Sequence, residues 1–103
     1  MRTLIIDDTR DLGACVICRT SKEGILALER MGPWDLLFLD YNLGRDGNGL
    51  DVMYWLQSHP TFRPARLQIV STHPSGAELL CRMAARLYDR RNPENDYYEG
   101  PKV

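Results

Sequence analysis

Leu36-Leu37-Phe38-Leu39-Asp40 is the stretch that decides the fold. Four apolar residues without alternation read as a buried strand of the kind found in parallel sheets. The run closes on a carboxylate that packing does not account for. The same signature stands at the N-terminus, where Thr3-Leu4-Ile5-Ile6 runs into Asp7-Asp8. A further run, Leu67-Gln68-Ile69-Val70, closes on Ser71-Thr72. In an open α/β sheet the carboxyl ends of the strands form the ligand edge. This spacing therefore gathers Asp7, Asp8, Asp40 and Ser71 at one place.

Outward from these runs the order of elements is legible. Ala14–Arg19 is a second β-branched run. Thr20 and Glu23 form a capping box for a helix with Ile25, Leu28 and Met31 inward, and Gly32-Pro33 stops it. Gly44–Gly49 reads as a glycine-rich loop, after which Asn48 caps a helix with Val52, Met53 and Leu56 inward. Ser75 and Glu78 form another capping box, ahead of Leu79, Leu80, Met83, Ala84 and Leu87. Strands alternating with helices predict a parallel sheet carrying packed helices. One connection is unusual. Only the six residues Asp8–Gly13 join the first two strands, whereas a parallel crossover normally needs about a dozen. Six extended residues reach roughly 20 Å, so both a parallel crossover and an antiparallel hairpin are open. The parallel one is favoured because it collects the acids. Residues 1–88 form the predicted domain, and 89–103, polar and proline-containing, form a flexible C-terminal tail.

Composition narrows the function. The chain has 103 residues and a formal net charge of −1, so no global field draws it to double-stranded DNA or an anionic membrane. It has no apolar run long enough to span a bilayer, and Asp7-Asp8 interrupts any signal-peptide pattern. Three cysteines (Cys15, Cys18 and Cys81), an odd number, fit reduced thiols and a cytoplasmic location. Cys15 and Cys18 match C-x-x-C, but in a β run positions three apart point to opposite faces, which argues against a redox or zinc pair.

Three carboxylates at one sheet edge repel one another, and a hard divalent cation relieves that repulsion. The expected metal is Mg²⁺, held by Asp7, Asp8 and Asp40 with the carbonyl of Asn42.

These residues resemble a bacterial receiver domain: an acidic pair after strand one, an aspartate after strand three, a hydroxyl after strand four. The resemblance implies a short flavodoxin-like sheet of about four strands in the order 2-1-3-4 with about three helices. It lacks the usual first helix and the fifth strand with its lysine, since neither Lys22 nor Lys102 stands in a suitable place. A narrower resemblance is to the cyclic-phosphate-processing receivers. It rests on Asp7-Asp8-Thr9-Arg10, Leu39-Asp40-Tyr41-Asn42-Leu43-Gly44, Gly49-Leu50-Asp51-Val52 with Trp55, and Val70-Ser71-Thr72-His73-Pro74-Ser75-Gly76. Tyr41, Asn42 and Val70 replace the family's His, Asp and His. His73 is a displaced substitute. This resemblance implies action on cyclic phosphates such as RNA 2′,3′-cyclic ends, by a metal-dependent phosphoesterase; with the convergent acids it implies catalysis by Asp40 as nucleophile or metal ligand, and Ser71, Arg10 and His73 orienting the phosphoryl group.

Three functions follow. The first is a degenerate receiver with an acidic Mg²⁺ pocket that binds or processes a phosphate group, on a small molecule or an RNA end. The second is a non-catalytic interaction module of a phage or mobile element that binds a host protein. It would dock through Tyr54 and Trp55 or through the basic stripe that Arg82, Arg86 and Arg90 form with Arg91. The third is a phosphoacceptor in signalling.

Overall fold

The structure, a computed structural model, describes residues 1–44 and 47–102. Arg45 and Asp46, within the expected glycine-rich loop, and Val103 lie outside the described residues. The elements in order are β1 (Thr3–Ile6), β2 (Val16–Cys18), α1 (Ser21–Arg30), β3 (Leu36–Leu39), α2 (Gly49–Ser58), a 3₁₀ turn (Pro60–Phe62), β4 (Arg66–Ile69), α3 (Pro74–Leu87), β5 (Tyr88–Asn92) and β6 (Tyr97–Pro101).

The connection between β1 and β2 is the parallel crossover, with Leu4 opposite Val16 and Ile6 opposite Cys18. Leu12 (φ 47°) and Gly13 (φ 71°) turn that short loop back. β1 pairs parallel with β3, and β3 with β4, so Ile6, Leu39 and Ile69 lie in one row.

Two expectations need correction. The sheet is mixed and has six strands, in the order β2-β1-β3-β4-β6-β5, rather than about four in the order 2-1-3-4. The two additional strands come from the segment read as a flexible tail. β6 pairs antiparallel with β4, and β5 with β6. β6 thus fills the place beside β4 that seemed to lack a strand. Two tyrosines hold the hairpin to the core. The fully buried Tyr98 donates its hydroxyl to Cys81 O at 3.2 Å, and Tyr88 donates to Pro64 O at 2.6 Å. A buried phenol needs such a partner, and each has one.

The helices begin and end for identifiable reasons. Thr20 accepts the Glu23 N–H at 3.1 Å. Asn48 accepts the Leu50 N–H at 2.9 Å, and Asp51 returns the bond to Asn48 N at 3.1 Å. α3 differs from the expected capping box at Ser75: it starts two residues earlier, with Pro74 in its first turn and His73 as its N-cap. Arg63 caps the far end of α2 on Leu56 O (2.9 Å) and Gln57 O (3.1 Å), and reaches Lys102 O beyond β6 at 2.8 Å.

All three helices pack on one face of the sheet. Leu4, Ile6, Leu37, Leu39, Leu67 and Ile69 meet Leu28, Val52, Met53, Leu56, Leu80 and Ala84 in one cluster. The opposite face carries the row Ile17, Ile5, Phe38, Gln68, Tyr97 and no helix among the described residues. Ile5 is buried between its neighbours there, while Ile17 is 42% exposed. No described helix is long and apolar enough to cross a membrane.

Candidate functional site

The parallel register sets the site. Asp40 N donates to Ile6 O, and Val70 N to Leu39 O, both at 3.0 Å, so the carboxyl ends of β1, β3 and β4 are level. Asp7 and Asp8 follow β1, Asp40 follows β3, and Ser71 and Thr72 follow β4. One carboxylate oxygen from each of Asp7, Asp8 and Asp40 falls within 4.8 Å of the others. Asp7 and Asp40 are buried and Asp8 is half-buried. Above them opens a cleft of about 600 Å³ lined by Asp8, Thr9, Arg10, Asp40, Asn42, Thr72, His73 and Pro74.

Each acid has a distinct environment. Asp7 Oδ1 accepts the backbone N–H groups of Thr9 (2.9 Å) and Arg10 (3.0 Å), and Oδ2 accepts Arg10 Nε at 2.8 Å. Burial pushes the Asp7 carboxyl up, but these N–H donors and the guanidinium together outweigh it and hold it below the usual carboxylate range. Asp40 is pushed the other way. Burial and the neighbouring Asp7 charge raise it, against weaker opposing help from the Ser71 hydroxyl, the Asn42 N–H and Arg10. Two close carboxylates with opposite shifts are the pattern of a shared charge site.

Arg10 is the cation of the cleft, with Nη2 3.6 Å from Asp40 Oδ2. Its loop is anchored by Arg19, whose Nη1 donates to Asp7 O (3.2 Å) and Arg10 O (2.9 Å). Arg19 carries no sequence signal for this role; it simply follows β2. Thr9 was also missed, although Asp-x-Thr is an Asx-turn pattern that could have flagged it.

Asn42 lines the cleft beside Asp40, to which its N–H donates at 3.4 Å, and its amide oxygen accepts Gly44 N at 3.3 Å. Ser71 is not one of the residues lining the cleft; its hydroxyl hydrogen-bonds Asp40 and accepts His73 N at 3.1 Å. His73 has its tautomer fixed by geometry. Its Nδ1 accepts the Gly76 N–H at 2.9 Å, so in the neutral ring the proton is on Nε2. His73 also lines the cleft, and Nε2 of its neutral ring is a hydrogen-bond donor. Tyr41 stacks on it, with ring centroids 4.9 Å apart, and packs against Gly76, where any Cβ would run into the tyrosine ring.

The expected arginine stripe loses one member, Arg90. Arg82 and Arg86 line a groove of about 410 Å³ with Arg91, while Arg90 pairs with Glu99. Helix α3 ends at Leu87, so strand alternation, not helical spacing, decides which arginine joins. Trp55 stacks on His59 at 4.2 Å, and Tyr54 is 59% exposed.

Among the described residues the donors at the floor are all oxygens, and three carboxylates face one guanidinium, that of Arg10. Such a set fits a hard divalent cation and suits neither zinc nor copper. No lysine lines the cleft. A model of the cyclic-phosphate processing receiver domain family matches residues 2–86, ending just short of the β5–β6 hairpin. No curated protein and no solved structure matches the chain. The chain belongs to the cyclic-phosphate processing receiver domain family.

Proposed function

We propose that the cleft binds and processes a cyclic phosphate group with the help of Mg²⁺ held by Asp7, Asp8 and Asp40, the Asn42 carbonyl completing the set. The observation that carries this reading is the convergence of three carboxylate oxygens within 4.8 Å beneath a cleft that also presents Arg10 and His73. When bound, Mg²⁺ would neutralise the acids and polarise a phosphoryl oxygen. Arg10 offers a planar fork to the non-bridging oxygens. The His73 Nε2–H donates to the group or to its leaving oxygen. Asp40, whose charged form burial and Asp7 disfavour, is the group best placed to act on phosphorus or to ligate the metal. Ser71 steadies Asp40 and the turn that holds His73. An RNA end and a small cyclic nucleotide are the two substrates of this chemistry.

The test is hydrolysis of a 2′,3′-cyclic mononucleotide and of a cyclic-phosphate-ended oligonucleotide. Turnover that requires Mg²⁺ and vanishes in Asp40→Asn supports the reading; no turnover and no Mg²⁺ binding overturns it.

A second reading, a non-catalytic module that binds an acidic partner, is favoured by one observation. Of the three arginines lining the α3 groove, only Arg82 has a carboxylate partner, Glu78 at 2.6 Å, among the described residues. Binding of an acidic peptide that is lost in Arg86→Glu, with no Mg²⁺ response, would select it. A phosphoacceptor role predicts one added phosphate by intact mass after exposure to acetyl phosphate, despite a cleft without lysine.

A further inference from the structure

Arg10 holds two acids at once, and it holds them unequally. Its Nε makes a hydrogen bond of 2.8 Å to Asp7 Oδ2, and its own backbone N–H donates to Asp7 Oδ1 at 3.0 Å. Its carbonyl is fixed by Arg19. Toward Asp40 it has only the 3.6 Å approach of Nη2, an ion pair beyond hydrogen-bond length. The side chain is 35% exposed at the lip of the cleft, next to the walls formed by Thr72 and His73.

A divalent cation shared by Asp7, Asp8 and Asp40 needs the same oxygens that this guanidinium faces. Two cations cannot serve one pair of oxygens at such range without strong repulsion. The contact that gives way is the longer one, to Asp40, because the Asp7 contact is braced by the backbone. A guanidinium released from Asp40 but still pivoted on Asp7 keeps its position at the cleft with part of its donor fork free. Such a fork matches a phosphate.

We propose that Arg10 is the resident counter-ion of the acidic cluster: it competes with Mg²⁺ for Asp40 and, once displaced, becomes the phosphate-gripping group. Metal and phosphate then bind with positive coupling to which this side chain adds beyond their direct contact, and the coupling is reciprocal. This rests on the metal-and-phosphate reading above.

Calorimetric titration of MgCl₂ at constant ionic strength, with and without inorganic phosphate, tests it on the wild type, Arg10→Gln and Arg10→Lys. Removal of one competing charge makes Mg²⁺ binding to Arg10→Gln about five- to tenfold tighter, the scale of one partly screened ion pair. Phosphate tightens Mg²⁺ binding in the wild type and does so by a clearly smaller factor in Arg10→Gln, where only the direct contact of metal with phosphate is left. Arg10→Lys keeps the charge, so its Mg²⁺ affinity stays near wild type, but it loses the fork and with it the part of the coupling that the fork carries. Equal Mg²⁺ affinity in wild type and Arg10→Gln overturns the inference and leaves the metal reading intact. Mg²⁺ binding by Arg10→Gln alone supports the inference and overturns the metal reading for the native chain. Binding by neither overturns both. Should Arg10→Gln fail to fold, Arg10→Lys carries the test: coupling as large as in the wild type refutes the role, and reduced coupling at unchanged Mg²⁺ affinity supports it.

Discussion

The parallel half of the sheet and its antiparallel half are built for different ends. Strands β2, β1, β3 and β4 are three or four residues long and mostly apolar, and three of them deliver polar residues to one edge. The β5–β6 hairpin contributes nothing to the cleft. It contributes Tyr88 and Tyr98, the one anchored on Pro64 and the other on Cys81. The family match covers the first half and stops before the second. Chemistry and closure of the sheet edge are thus carried by separate segments. An uncovered β4 would present an unpaired edge next to the site, and β6 removes it.

Substitutions can break or sharpen this division. The largest effect is expected at Tyr98→Ala, which empties a fully buried site and should cost about 3–5 kcal/mol in urea denaturation. In whatever fraction remains folded, Mg²⁺ affinity should match the wild type; a parallel loss would show that the halves are not separable. Arg63→Ala comes next. It removes the one guanidinium that caps α2 and also ties down the residue after β6, for a loss of roughly 2 kcal/mol by the same measurement. His73→Ala should cost about 1 kcal/mol through the lost α3 cap. His73→Asn keeps a capping oxygen and should recover most of that stability without recovering any activity that needs the Nε2 donor.

The smallest effect has the opposite sign. Asp40→Asn removes the like charge beside Asp7 and should stabilise the metal-free protein by roughly 0.5–1 kcal/mol at neutral pH, the scale of one screened charge pair. The sign follows from the two shifts. The raised Asp40 pKa means that its ionised form costs stability above that pKa, and acidification relieves the cost. The advantage of Asp40→Asn should therefore shrink as pH falls through the Asp40 titration. The lowered Asp7 pKa works in reverse. Its stabilisation is present above the ordinary carboxylate pKa and is lost as pH falls through the depressed one. Thermal midpoints of both proteins across the acid range check this.

Much of the parallel half was legible because its signals are local and redundant. Leu36–Asp40 and Thr3–Asp8 each show a buried strand closing on acid, and the need to gather those acids selected the parallel crossover over the hairpin. The antiparallel half was not legible. Tyr88-Asp89-Arg90-Arg91-Asn92 has one buried residue and four exposed ones, as an edge strand does, and that composition is shared with disordered tails. Its pairing depends on Tyr98 reaching the core, a long-range contact without a local pattern. The start of α3 was misplaced because Ser75-x-x-Glu78 imitates a capping box. Pro74 in the first turn was the better signal.

The helix-free face has a thermodynamic corollary. A chain with two layers exposes less apolar area on unfolding than one of equal length wrapped on both sides, and heat capacity tracks that area. Its unfolding increment should fall below the usual 12–15 cal/mol/K per residue. The resulting flat dependence of folding free energy on temperature would leave this protein little stabilised by cooling and slow to melt on warming.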